Sequence, residues 1–112
     1  MLWGTAAHAQ NTWVHVRGAW EPPAGVVDTL KAGLQRHVSI NLKRQLRPWH
    51  EYAFQYQGQV YRGRRYVLVN AMCRVDPSWP LQAQMLLVLD GAPCYFHVKF
   101  DAAEGMFYDL FM

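Results

Sequence analysis

The chain has 112 residues, 52% of them hydrophobic and 17% charged, which suits one packed core and excludes long disorder. The formal net charge is +3, short of the basic excess that nucleic-acid binders usually carry. No apolar run reaches the roughly 18 residues of a membrane span.

Residues 1–9, MLWGTAAHA, read as the remnant of a signal peptide. Ala7-His8-Ala9 before Gln10 has the small-x-small form of a cleavage site. This reading implies a periplasmic or secreted protein with a single domain over 10–112. Residues 12–17, TWVHVR, alternate as a short strand. Gly18 interrupts it, and Pro22-Pro23 suit a helix entry, where proline lacks no needed donor.

From 24 to 47 the period changes to 3.6. Val27, Leu30, Leu34, Val38, Leu42 and Leu46 fall on one stripe, with Arg36, Lys43 and Arg47 opposite and Ile40 an apolar outlier. Pro48 ends this helix, which would be roughly 36 Å long.

Residues 51–73, EYAFQYQGQVYRGRRYVLVNAMC, read as one long β-hairpin. Tyr52, Phe54 and Tyr56 alternate with Ala53, Gln55 and Gln57, and 66–69 are apolar on both faces, as in a central strand. Arg62-Gly63 forms the two-residue turn. Gly58 inside the first arm marks a bulge or an earlier turn. The bulge is preferred, because Gln59-Val60-Tyr61 keeps the strand pattern. A loop at 74–81 follows, broken by Pro77 and Pro80. A strand is expected over 82–89, a tight turn at Asp90-Gly91, a strand over 94–100, a turn at 101–105 and a last strand over 106–111. The sum is an α+β fold: one long helix packed on a four- to five-stranded antiparallel meander sheet.

Signals for chemistry are sparse. Cys73 and Cys94 are the only cysteines, and an even count in an exported chain suggests a disulfide. A strand over 82–89 between their two strands would hold them beyond the ~7 Å Cα limit. Either the chain after Cys73 folds back and shortens that strand, or the thiols stay unpaired. Cys94 and His97 face opposite sides of a strand, which removes a local nucleophile–base pair. No phosphate loop, nucleophile elbow or metal-ligand spacing occurs, so no cofactor and no metal are expected. Arg62, Arg64 and Arg65 flank the hairpin tip. Together with the cationic helix end they would form a patch for an anionic surface. Trp13, Trp20, Trp49 and Trp79 lie at or near element ends, where they would rim a helix–sheet cleft.

Strand, long helix and antiparallel meander resemble the cystatin-like fold, and the NTF2-like cone has the same ingredients. Cystatins carry Gln-x-Val-x-Gly at the first hairpin. Gln59-Val60-Tyr61-Arg62-Gly63 stands in that place, with tyrosine for valine, and Gly18 stands where the family has its N-terminal glycine. The family's Pro-Trp has no counterpart in Asp90-Gly91-Ala92-Pro93. Residues 89–110, LDGAPCYFHVKFDAAEGMFYDL, also resemble small uncharacterised exported proteins of Gram-negative bacteria, a likeness that implies no activity. The expectation is a non-enzymatic binding domain whose partner, a protein or an anionic surface, meets the hairpin tip or the cleft. The resemblances imply two alternatives: a cysteine protease inhibitor acting through 59–63, and a small enzyme with a cone cavity and His97 or a carboxylate as acid–base.

Overall fold

The computed structural model describes residues 11–42, 45–88 and 93–111. The expected signal-peptide remnant at 1–9 and the Asp90-Gly91 turn lie outside them. Strand β1 (Trp13–His15) leads to helix α1 (Ala24–Asn41), and a 3-10 turn (Trp49–Glu51) leads to β2 (Ala53–Tyr61). Then come β3 (Arg64–Met72), β4 (Tyr95–Asp101) and β5 (Met106–Phe111). They form one sheet in the order β1-β2-β3-β4-β5. The α+β class and the helix lying on the sheet are as the sequence implies.

Helix α1 buries Val27, Leu30, Leu34 and Val38, the stripe read from the 3.6 period. They meet Phe54, Val67, Val69, Ala71, Phe96, Val98 and Phe100 from one sheet face. Ile40 is 68% exposed, the outlier that the pattern marks. The helix stops at Asn41 rather than Arg47. The Asn41 side chain donates to the His37 carbonyl at 2.8 Å, and Leu42 turns extended at ψ 134°. Leu42 and Leu46 still reach the core, but as irregular chain. The shorter helix, roughly 27 Å, matches a nine-residue strand of roughly 30 Å.

The sheet is mixed, not a pure antiparallel meander. β1 pairs parallel with β2, Trp13 opposite Phe54 and His15 opposite Tyr56. α1 is the crossover that parallel neighbours require. β2, β3, β4 and β5 are antiparallel in sequence.

Gly58 is not a bulge. β2 and β3 stay in register from Ala53–Met72 through Gly58–Val67 to Tyr61–Arg64. Trp20 lies over Gly58, and a Cβ there would collide with the Trp20 carbonyl oxygen. The Trp20 indole N–H donates to the carbonyls of Gln59 at 2.9 Å and Tyr66 at 3.1 Å.

The strand expected over 82–89 does not form across its described residues, 82–88. β4 takes its place beside β3, and 74–88 runs as a strap across the sheet face that α1 leaves open. Gln55 and Asn70, both fully buried there, grip the strap's backbone. Gln55 Nε2 donates to the carbonyls of Leu81 and Gln84, and its Oε1 accepts the Leu86 N–H. Asn70 Nδ2 donates to the Leu86 carbonyl and to Gln55 Oε1. Two amides thus supply hydrogen bonds that a ladder would have given.

With that strand gone, Cys73 lies directly opposite Cys94. Their Cα atoms are 4.9 Å apart and the disulfide is formed. The Cys73 N–H donates to the Cys94 carbonyl, so the pair extends the β3–β4 ladder by one step. The sequence objection to this bond rested on a strand that is absent.

Candidate functional site

The two turns of the antiparallel sheet, 62–63 and 102–105, lie at one end of the molecule. Arg62 at φ 52° and Gly63 at φ 78° form the first, a hairpin turn with both central residues left-handed. In the second, Asp101 Oδ1 accepts the N–H groups of Ala103 and Glu104, and Gly105 closes the turn at φ 68°. The turns are clasped. Arg64 pairs with Asp101 at 2.5 Å and lies 3.8 Å from Glu104, and the Ala102 N–H donates to the Arg65 carbonyl. Amide donation from Glu104, then Arg64, holds the Asp101 carboxyl below the usual carboxylate range, and Asp101 in turn raises Arg64.

Segment 18–23 reaches the same end. The Ala19 N–H donates to the Gly58 carbonyl, and Gly18 packs so closely on Gly58 that a Cβ would collide with its oxygen. Arg65 lies over the Trp20 ring, 5.4 Å from its centroid.

Two grooves flank the Arg64–Asp101 clasp. The one on the helix side, about 700 Å³, has Trp20 and Val26 at its base, with Gly63, Arg65 and Glu104 on its rim. The one on the open sheet face, about 410 Å³, is lined by Tyr61, Tyr66, Met106 and Tyr108. Lys99 sits 5.4 Å from the Tyr66 ring and 5.9 Å from the Tyr108 ring, and pairs with Asp109. Tyr61 and Met106 are exposed there, an apolar concentration of the kind that commonly takes partners.

Several sequence-expected residues sit here, with altered roles. Arg62 stacks on Tyr61 and remains exposed. Arg64 is spent on the clasp and Arg65 on Trp20. The Gln59 side chain is internal: it donates to Gln57 and accepts from the Tyr66 hydroxyl. Three arginines share this end with three carboxylates: Arg64 pairs with Asp101 and lies near Glu104, and Glu21 lines the same groove as Arg65, so the tip is charge-balanced rather than a positive patch. Arg47 lies at the other end, bonded to Glu51 beside the disulfide, so the helix end does not add to it. Lys43 and Arg44 are outside the described residues.

Trp49 and Trp79 are remote from the tip. Trp49 packs on Tyr52, Phe54 and Phe96, sealing the core's base rather than rimming a cleft. Trp79 sits on the strap, beside a groove of about 490 Å³ shared with Val14, Val75 and Leu81. His97 lies under the strap side, stacked on Phe111, and lines none of these grooves. Burial, then Lys99, lowers its pKa. No metal-binding cluster occurs among the described residues, and no helix there is long and apolar enough to cross a membrane.

Trp20, one of the tryptophans expected to rim a helix–sheet cleft, does line the helix-side groove. Its seat over β2 was not read from the sequence; the available signal was paired glycines, Gly18 and Gly58, each marking close approach of another backbone. The chain matches no family model, no curated protein and no solved structure.

Proposed function

We propose that this is an exported, non-enzymatic binding domain whose partner docks on the end formed by the two clasped turns. The observation that carries the reading is the convergence there of both turns, segment 18–23 and two grooves lined by Trp20, Tyr61, Tyr66, Met106 and Tyr108. Aromatic and methionine side chains with polar rims are what the cores of protein interfaces use. The clasp and the Trp20 hydrogen bonds hold the surface in one shape before a partner arrives, which lowers the ordering cost of binding. The charge balance favours a protein over an anionic surface, because a polyanion would need a net cationic face. The disulfide supports export, since such bonds persist in oxidising compartments.

A cystatin-like architecture remains our reading of the fold. A helix on a mostly antiparallel sheet with two turns side by side supports it; the parallel β1 departs from a pure meander. Cysteine protease inhibition is the second reading, favoured by one feature: the Gln59-to-Gly63 run ends in a projecting turn beside a second turn. Titration against a papain-like enzyme tests it, and no inhibition at micromolar concentration rejects it.

The docking end is tested by a photo-crosslinking residue placed singly at Arg62, Ala103, Gln35 and Arg36 in the exported protein. Capture of one partner from 62 and 103, and not from the outer face of α1, is expected. Capture from α1 alone, or from no tip position, would overturn the reading.

A further inference from the structure

We propose that the Cys73–Cys94 bond is a reversible two-electron centre, opened in the folded protein by an external dithiol that carries an anionic group. The bond lies at the Met72–Tyr95 end of the β3–β4 ladder, away from the two clasped turns, so it is separate from the docking end. Three conditions have to hold for such a centre. A reagent must reach the sulfur, the departing thiolate must be stabilised, and the fold must survive without the bond.

Access comes from a groove of about 530 Å³ with both cysteines in its wall, each half-buried rather than enclosed. Arg47, Glu51 and Arg74 share the lining. Arg47 donates to Glu51 through Nε at 3.0 Å and Nη2 at 2.8 Å, so those two charges offset each other. Arg74 follows Cys73 directly and is exposed, and among the described residues no carboxylate pairs with it. The groove therefore carries a surplus positive charge beside Cys73. A cation there draws an anionic reagent, and it favours Cys73 as the sulfur that departs, because a better-stabilised thiolate leaves faster.

The fold holds both cysteines in place whether or not the sulfurs are joined. The Cys73 N–H donates to the Cys94 carbonyl, one step beyond the paired Met72 and Tyr95. Before Cys94, the Pro93 carbonyl accepts the Tyr52 hydroxyl at 2.6 Å, and the Arg47 backbone N–H donates to the Tyr52 oxygen at 3.1 Å. The strap between the cysteines hangs on Gln55 and Asn70. The exchange then balances. One thiolate of the dithiol attacks Cys94 Sγ and forms a mixed disulfide, as the bond to Cys73 breaks and Cys73 departs as a thiolate. The second thiol, deprotonated, closes on the first sulfur of the reagent and releases Cys94. The reagent leaves as a cyclic disulfide, oxidised by two electrons, and its two protons end on the reduced cysteines. The same steps run backwards with a cyclic disulfide, which makes the centre reversible.

Timed alkylation of the oxidised whole chain, without denaturant, tests the proposal. Dihydrolipoate serves as the anionic dithiol and dithiothreitol as the neutral one, at equal thiolate concentration. Both should open the bond, dihydrolipoate faster, and added salt should narrow the gap. Arg74→Gln should slow dihydrolipoate about tenfold and dithiothreitol about threefold, because the first loses attraction as well as leaving-group stabilisation. Arg36→Gln, which removes the same charge from an exposed position on α1, should change neither rate. The reduced protein should keep the circular dichroism of the oxidised one and the same hydrogen exchange over 81–88. A bond that opens only once urea is added, rates indifferent to Arg74→Gln, or a reduced chain that loses the strap would overturn the proposal. Each of these results leaves the crosslinking outcome at positions 62 and 103 as it stands.

Discussion

Replacing Cys73 and Cys94 with alanine should lower stability without loosening the native strap. The bond closes a loop with a sequence separation of 21. The chain-entropy relation gives about 3 kcal/mol for a loop of that size, all of it from the freed unfolded chain. Spread over 112 residues, this is a drop of roughly 13 °C in Tm. The native side should change little. Seven residue pairs between β3 and β4 already hold the ends of 74–93 together, from Tyr66–Asp101 to Met72–Tyr95. The strap's middle is held by Gln55 and Asn70, not by sulfur. Urea unfolding of the oxidised protein and the double variant measures the first quantity, and hydrogen exchange over 81–88 the second. A loss of about 3 kcal/mol with unchanged strap exchange is expected. Strap amides exchanging at open-chain rates in the variant would refute the reasoning, because the bond would then be holding the native strap.

Gln55→Leu should have the converse signature. It strands two carbonyls and one N–H of the strap, each worth about 1 kcal/mol or more when left unpaired, and should speed exchange over 81–88 while α1 stays protected. Unchanged exchange there would remove the amide clamp. Gly58→Ala should destabilise by about 2 kcal/mol and alter the near-ultraviolet circular dichroism, since Trp20 must leave its two carbonyls. A neutral effect would mean that Trp20 does not lie over β2. The pH dependence follows from His97 and His37, whose pKa values burial lowers. The folded state prefers both neutral, so their contribution is full above the unfolded value of about 6.5 and declines as pH falls through it. Urea midpoints should therefore drop between pH 7.5 and pH 5; a rise would contradict the assignment. Asp101, held low in the fold, acts in the same direction, but only as pH falls toward the unfolded carboxyl value.

Periodicity made much of the fold legible. The stripe Val27, Leu30, Leu34, Val38 reported a buried face directly, as did Tyr52 and Phe54, with Tyr56 half-buried beyond them. Arg62-Gly63 was readable because a two-residue turn needs positive φ. The misreadings have one source: interactions between residues far apart in sequence. Gln82 to Leu89 looks like a strand by composition, and what it becomes depends on Gln55 and Asn70, many residues earlier. Leu42 and Leu46 continue the helical stripe, yet Asn41 closes the helix with its own side chain. Gly58 signals an irregularity, but only Trp20 distinguishes a close approach from a bulge. The docking end was half legible. The arginines marked the tip, whereas their partners come from two other parts of the chain, Asp101 and Glu104 from one turn and Trp20 from the segment before α1.

The partner's affinity for a tip variant is the most direct test of the docking end. Arg62 and Arg65 are changed together to alanine, sparing Arg64 because it holds the two turns in place. The crosslinked partner, purified, is then titrated by calorimetry against both proteins. The account predicts a loss of at least about tenfold, equivalent to about 1.4 kcal/mol. Equal affinity for the two proteins would contradict it.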